Sequence, residues 1–175
     1  MKRLVAITGL SLALLRPAWG ATSGEELRQE AARAINNLKS SDSALTNFFE
    51  RSAGYVVFSG VRRGGFTLPG EHARGVVYEK GRPVGAALLA EIGLGRQDSA
   101  SPFHEAIFFE SAEALRDFKQ GSFAMSTDIG AVSAVEGSAL TAKYRKGVVV
   151  FVIPKNGLLE RITIGDQRFS YKPLD

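Results

Sequence analysis

Two histidines, each beside a glutamate, are the residues of this chain whose types could support acid–base or metal chemistry. His72 follows Glu71, and His104 precedes Glu105. Neither pair has the H-x-x-x-H spacing that places two imidazoles on one helix face, and no third ligand is indicated. We therefore predict that neither histidine is catalytic or metal-binding, and we expect both at the surface or at a sheet edge.

Other enzyme motifs are incomplete in the sequence. The segment GLGRQD, residues 93–98, begins like a dinucleotide-binding loop but lacks its third glycine, and there is no P-loop lysine. No serine lies in a G-x-S-x-G elbow. The chain has no cysteine, which excludes disulfides, thiolate metal ligands, a thiol nucleophile and a lipid-modified cysteine anchor. We expect a protein without catalysis, without a cofactor and without a metal.

Residues 1–20 have the pattern of a cleaved export signal. Lys2 and Arg3 precede an apolar run that ends at Leu15, and small residues occupy positions 18 and 20. The run is too short to span a bilayer as a helix. Cleavage near Gly20 would remove three cations and no acid, so the formal net charge of +4 would become +1. We expect a periplasmic or secreted protein, and overall basicity gives no support to nucleic-acid binding.

Charge is nevertheless segregated along the chain. Residues 91–136 are net acidic, whereas residues 55–90 and 137–175 are net basic. If the first and last strands are neighbours, their cations could form one basic surface for anionic head groups or phosphates. The candidate lipid-binding residues are Arg62, Arg63, Arg74, Lys143, Arg145 and Lys146. The alternative is that these cations are scattered and solvated.

Residues 21–52 have helical periodicity. Ser23 and Glu26 form a capping-box pattern, and Leu27, Ile35 and Leu38 follow on one face of the predicted helix. A second short helix is predicted from residue 44 to residue 51. The apolar face could pack on the core, or it could insert into a membrane as an amphipathic helix, and the sequence leaves both interpretations open.

From residue 53 onward the period changes to that of strands. Short apolar runs bounded by glycine predict strands at residues 55–58, 75–78, 84–95 and 106–109, with Glu79–Arg82 as a hairpin turn. Ser111 and Gly121 predict the start and end of an inserted helix. Alternation over residues 122–140 predicts one or two half-buried strands, and residues 147–171 predict a closing hairpin.

The predicted fold class is therefore α+β. N-terminal helices pack on a strongly bent, mostly antiparallel sheet of half-barrel or sandwich-like form, with one inserted helix. We divide the chain into a signal peptide (1–20), a helical segment (21–52) and a main domain (53–175) that is compact with those helices.

Four blocks of the chain resemble, in order, the blocks of the SYLF lipid-binding family. They are AGYVVFSGVRRGGF from Ala53, ARGVVYEKGRPVG from Ala73, EAIFFESAEALRDFKQGSF from Glu105, and the stretch from Tyr144 to Tyr171. The likeness is greatest to the exported bacterial branch, whose characteristic ending corresponds here to Gly157-Leu158-Leu159 followed by Gln167, Phe169 and Tyr171.

The resemblance implies a lipid-binding module without catalytic activity. It implies that residues 24–40 form an amphipathic helix and that residues 62–65 form a basic loop. We therefore expect an exported protein that associates with anionic phospholipid at the bacterial cell envelope. The alternative is a structural or adaptor protein whose basic surface binds a protein or glycan partner.

Overall fold

The computed structural model describes residues 24–61, 73–92, 102–121, 123–125, 129–155 and 166–174, which form helices packed on one sheet. The helices are α1 (Gly24–Ser41), α2 (Leu45–Arg51), α3 (Ala112–Lys119) and α4 (Ser138–Thr141). The strands are β1 (Gly54–Val61), β2 (Ala73–Glu79), β3 (Arg82–Ile92), β4 (Phe103–Phe109), β5 (Ala124–Met125), β6 (Val132–Ser133), β7 (Val148–Pro154) and β8 (Asp166–Pro173). The predicted α+β class is confirmed.

The strands form one sheet in the order β5-β8-β3-β2-β1-β4-β7-β6. Neighbouring strands are antiparallel except for β6 and β7, which are parallel. The pairs β1–β2 and β2–β3 follow chain order, and the turn between β2 and β3 is the one expected at Glu79–Arg82. Its central residues, Lys80 and Gly81, have φ of 50° and 73°, which is the backbone of a two-residue hairpin turn.

One face of the sheet, here called the outer face, is covered by α1 and α2. Alternate strand residues point to it, among them Tyr55, Val57 and Phe108, and all three are buried. Their large apolar surfaces need cover from water, and the apolar stripe of α1 supplies it. Leu27 and Leu38 are 5% and 0% exposed.

The N-terminal helix is therefore a core element, and the membrane-facing interpretation of Leu27, Ile35 and Leu38 is corrected. Leu27 and Leu38 belong to the buried cluster of the outer face, and Ile35 packs against the same cluster. Ser23, the predicted cap of this helix, lies outside the described residues. In this fold the apolar stripe of α1 contacts the sheet and is not presented to a membrane.

The opposite face, here called the inner face, is concave. Phe58 on β1 and Phe169 on β8 have ring centroids 5.8 Å apart, although β2 and β3 lie between their strands. Three strand spacings in a flat sheet would separate them by about 14 Å, so the sheet must bend toward this face. Helix α3 packs into the bend, where Phe118 contacts Phe109 and Phe169 at centroid distances of 5.0 and 5.3 Å. The expected bent sheet with an inserted helix is present.

The boundaries of α3 agree with the sequence signals. The Ser111 side chain accepts a hydrogen bond from the Ala114 N–H at 3.2 Å, as an N-cap does. Gly121, just past the helix, has φ of 72°, a left-handed conformation that favours glycine.

The C-terminal half departs from the sequence prediction in two ways. Strands β7 and β8 do not form a hairpin: β7 lies between β4 and β6, whereas β8 lies between β3 and β5. Within the alternating stretch 122–140 the described residues give a pair of strands, which was one of the two alternatives predicted. These strands, β5 and β6, are only two residues long, and α4 follows them. Residues 156–165 of the predicted closing hairpin lie outside the described residues.

Candidate functional site

Three of the six candidate cations lie together in the connection between α4 and β7. Lys143, Arg145 and Lys146 are all exposed, and we call them the basic corner. A tight turn shapes it, because Arg145 and Val148 exchange backbone hydrogen bonds of 2.7 and 3.0 Å. Between residues 137 and 147 the sequence contains these three cations and no acid. The basic corner is thus a group of three exposed cations in the connection that leads into β7.

Arg74 lies elsewhere. It is on β2, which β1 and β4 separate from β7, a displacement of about 14 Å across the sheet. The strand register also places Arg74 level with the C-terminal half of β7, whereas the basic corner precedes the first residue of β7. Arg62 and Arg63 lie outside the described residues, so their part in a basic surface stays a prediction. The structure does not bring Arg74 to the basic corner.

A groove of about 540 Å³ opens beside the basic corner. Its walls are residues 129–132, helix α4 and the first half of β7, and its lining includes Lys143 and Arg145. The groove exists because β6 is only two residues long and pairs with Phe151 and Val152. The earlier part of β7 is therefore bordered by loop and by α4. A groove of this size with two cations in its lining could hold a small anionic group.

Asp42 fixes α4, and with it the basic corner, to the helical layer. Its carboxylate accepts hydrogen bonds from the Ala139 N–H at 2.7 Å, the Ser138 hydroxyl at 2.8 Å and the Ala44 N–H at 3.1 Å. Burial acts to raise the pKa of Asp42, but these bonds stabilise the charged form and hold the pKa below 3.8. The sequence shows Asp42 only as part of a polar break between two predicted helices, so its role was missed.

His104 and Glu105 point to opposite faces of β4, as adjacent strand residues do. His104 is 3% exposed beneath α1, where its Nε2 lies 3.4 Å from Asn37 Nδ2. The expectation of a surface or edge position was wrong for His104, because β4 lies between β1 and β7. His72 lies outside the described residues. The two side chains on β4 therefore cannot act as one acid–base pair.

His104 should make the fold sensitive to mild acid. Burial, with the positive charge of Lys155, lowers the pKa of His104 below 6.5, so the folded state keeps the ring neutral. Below about pH 6.5 the unfolded chain gains a proton that the folded chain does not, and stability falls. The free energy of unfolding, measured from pH 7 to 5, should decrease more steeply for the wild type than for His104→Gln. Parallel curves would contradict this assignment.

Glu105 lies on the inner face, where it contacts Gln167 of β8. Gln167 Nε2 donates a hydrogen bond of 3.0 Å to Glu105 Oε2, and the two residues are 1% and 0% exposed. Phe169 and Tyr171 share this face of β8, and the Tyr171 hydroxyl donates to the Val84 carbonyl at 3.2 Å. The sequence did carry a signal for Glu105, because it shares the parity of the buried Phe103. Gln167, Phe169 and Tyr171 therefore lie on the concave inner face of the sheet.

The described residues contain no group of three or more acidic or histidine side chains placed to hold a metal ion. Their helices also include none that is long and apolar enough to cross a membrane. Together, the fold and the site define a mixed α+β protein with a basic groove at one edge of a bent sheet.

No protein-family model matches the chain. It is similar to beta cell expansion factor A of Aeromonas veronii, with 26% identity over 158 residues. The match covers 81% of this chain and 57% of that protein. The chain thus spans little more than half the length of this curated relative.

Proposed function

We propose that this protein is an exported lipid-binding module of the SYLF type, which associates with anionic phospholipid at the bacterial cell envelope without catalysis. The export pattern of residues 1–20, with cleavage near Gly20, supports the location. The observation that carries the proposal is the basic corner, with three exposed cations beside a groove and no acid in the surrounding segment.

The electrostatic contribution of the basic corner is large enough to change the affinity for an anionic membrane substantially. A cation near an anionic membrane surface contributes about 1 kcal/mol, so Lys143, Arg145 and Lys146 together would contribute about 3 kcal/mol. That corresponds to roughly 100-fold in affinity. The SYLF resemblance gives independent support, because its blocks run from Ala53 to Tyr171 in the right order.

The alternative is a structural or adaptor protein that uses the same basic surface to bind a protein or a glycan. The name of the Aeromonas relative describes an effect on beta cells and names no ligand, so it favours neither alternative. Binding to lipid vesicles separates the two.

The test is flotation of the exported protein with phosphatidylglycerol–phosphatidylcholine vesicles at low salt. Replacing Lys143, Arg145 and Lys146 with glutamine should weaken binding roughly 100-fold, because three head-group contacts are lost. Binding should also weaken as salt is raised, since surface charges are screened beyond about 8 Å at physiological ionic strength. Vesicles of phosphatidylcholine alone should bind far less protein.

A matched control replaces Lys80, Arg82 and Lys172 with glutamine. These cations are also exposed, and Lys80 has φ of 50°, close to the 51° of Lys146. The net charge changes equally, so the control should keep most of the affinity if the basic corner is the contact. Equal loss in both variants would show that binding is not localised there. Should the wild type fail to float with anionic vesicles, the lipid proposal fails and the adaptor alternative replaces it.

A further inference from the structure

The large apolar side chains that are exposed among the described residues lie beside the basic corner. They are Leu140, 75% exposed on α4, and Val135, 36% exposed just before it. Single exposed apolar residues are common on protein surfaces, so exposure alone would carry little weight. Here both lie within twelve residues of the three cations along the chain, and Leu140 is on α4, whose Ser138 and Thr141 line the same groove. Apolar side chains flanked by cations are the pattern of membrane-surface elements.

The segment is held in place rather than loosely attached. The Ser138 N–H donates to the Val135 carbonyl at 2.9 Å, and the buried carboxylate of Asp42 binds both Ser138 and Ala139. Leu140 is therefore displayed at a fixed position next to the cations. Ordering this segment at a bilayer would require little additional loss of conformational entropy.

The nearby acids do not cancel this surface. Glu136 is exposed, but its carboxylate accepts hydrogen bonds from the Ser43 hydroxyl at 3.0 Å and the Ser43 N–H at 3.4 Å. Glu110 is exposed as well, and its N–H donates to the Gly147 carbonyl at 2.9 Å. Burial, together with the charge of Glu110, raises the pKa of Tyr144. The Tyr144 ring packs on Phe48, with centroids 5.7 Å apart. The three cations of the basic corner outnumber these two acids, so the net charge of the five residues is positive.

We infer that α4 is the membrane-inserting element, with Leu140 entering the boundary between head groups and acyl chains while the basic corner binds lipid phosphates. This inference rests on the proposed lipid binding and specifies its contact surface. As the membrane-inserting element, α4 takes the place of the N-terminal helix α1, whose apolar stripe packs on the sheet. The ligand is an anionic bilayer surface, because the combination of cations with a protruding leucine complements negative head groups above an apolar layer.

The experiment places a fluorescent reporter at the inserting residue. The one tryptophan of the sequence, Trp19, precedes the expected cleavage near Gly20, so the mature protein, residues 21–175, is a silent background. In that background Leu140→Trp should shift its emission to shorter wavelength on anionic vesicles and be quenched by lipids brominated on their acyl chains. Ser170→Trp is the control, because Ser170 is exposed on β8, five strands from β7 in the sheet. Its emission should not change.

A second variant measures how much Leu140 contributes to the binding of anionic vesicles. Leu140→Asp should weaken flotation with the same vesicles about tenfold, because an apolar contact is lost and a repelled charge is gained. Its thermal unfolding should match the wild type, since the side chain is 75% exposed. If the wild type floats while Leu140→Trp shows neither shift nor quenching, the inference is overturned and the proposed function stands. If the wild type does not float, the proposed function itself fails.

Discussion

Phe108→Ala is expected to lower the free energy of unfolding by about 3–5 kcal/mol, a large part of the 5–15 kcal/mol that stabilises an ordinary domain. Phe108 is 0% exposed and lies at the centre of the aromatic cluster on the outer face. Its ring centroid is 4.8 Å from that of Phe49 and 5.7 Å from that of Tyr55. Helix α2 and strand β1 both contact the ring, so the cavity left by alanine cannot easily collapse.

Chemical denaturation monitored by circular dichroism measures this effect, and Phe48→Ala is the matched control. Phe48 belongs to the same cluster, with its centroid 5.6 Å from Phe108, but it is only half-buried. The same deletion there removes less buried surface and should cost clearly less. A loss below about 1 kcal/mol for Phe108→Ala would show that the core is misassigned.

Local elements could be predicted from the sequence because their determinants lie close together in the chain. The turn at Lys80-Gly81, the cap at Ser111 and the stop at Gly121 are each decided by a few adjacent residues. The buried position of Phe118 follows from helical periodicity in the same way.

Strand partners could not be predicted in this way. The run VVVFVI in β7 is apolar on both faces, so it has no alternation that could indicate its neighbours. Chain order favoured pairing it with β8, but β8 completes the other half of the bent sheet beside β3.

In the candidate site, too, local groupings could be predicted from the sequence and long-range contacts could not. Lys143, Arg145 and Lys146 are neighbours in the chain, so their grouping was visible in the sequence. Arg74 was joined to them only through an assumed packing of strands that the sheet order does not have. The hydrogen bond from Ala139 to Asp42 that fixes α4 could not be predicted from the sequence, because the two residues are 97 residues apart.

Leu38→Asp is expected to lower the free energy of unfolding by at least about 4 kcal/mol. Leu38 is 0% exposed in the cluster between α1 and the sheet, so the substitution removes apolar contacts and buries a carboxylate among apolar side chains. Ala32→Asp is the matched control, because Ala32 is exposed on the same helix. It should lose only the difference in helix propensity, below about 1 kcal/mol. Thermal and chemical unfolding of both variants measure the difference.

Leu38→Ala keeps the prediction testable if the aspartate variant does not fold. It should cost about 2–5 kcal/mol, and the molecules that remain folded should bind anionic vesicles as the wild type does. A membrane-inserting helix would behave in the opposite way, because its apolar residues would contribute to flotation and little to unfolding. Unchanged stability with lost flotation would therefore show that α1 is the membrane-inserting helix. It would also remove the reason for assigning membrane insertion to α4. Lost stability with unchanged flotation would leave the sheet as the partner of α1 and the basic corner as the membrane contact.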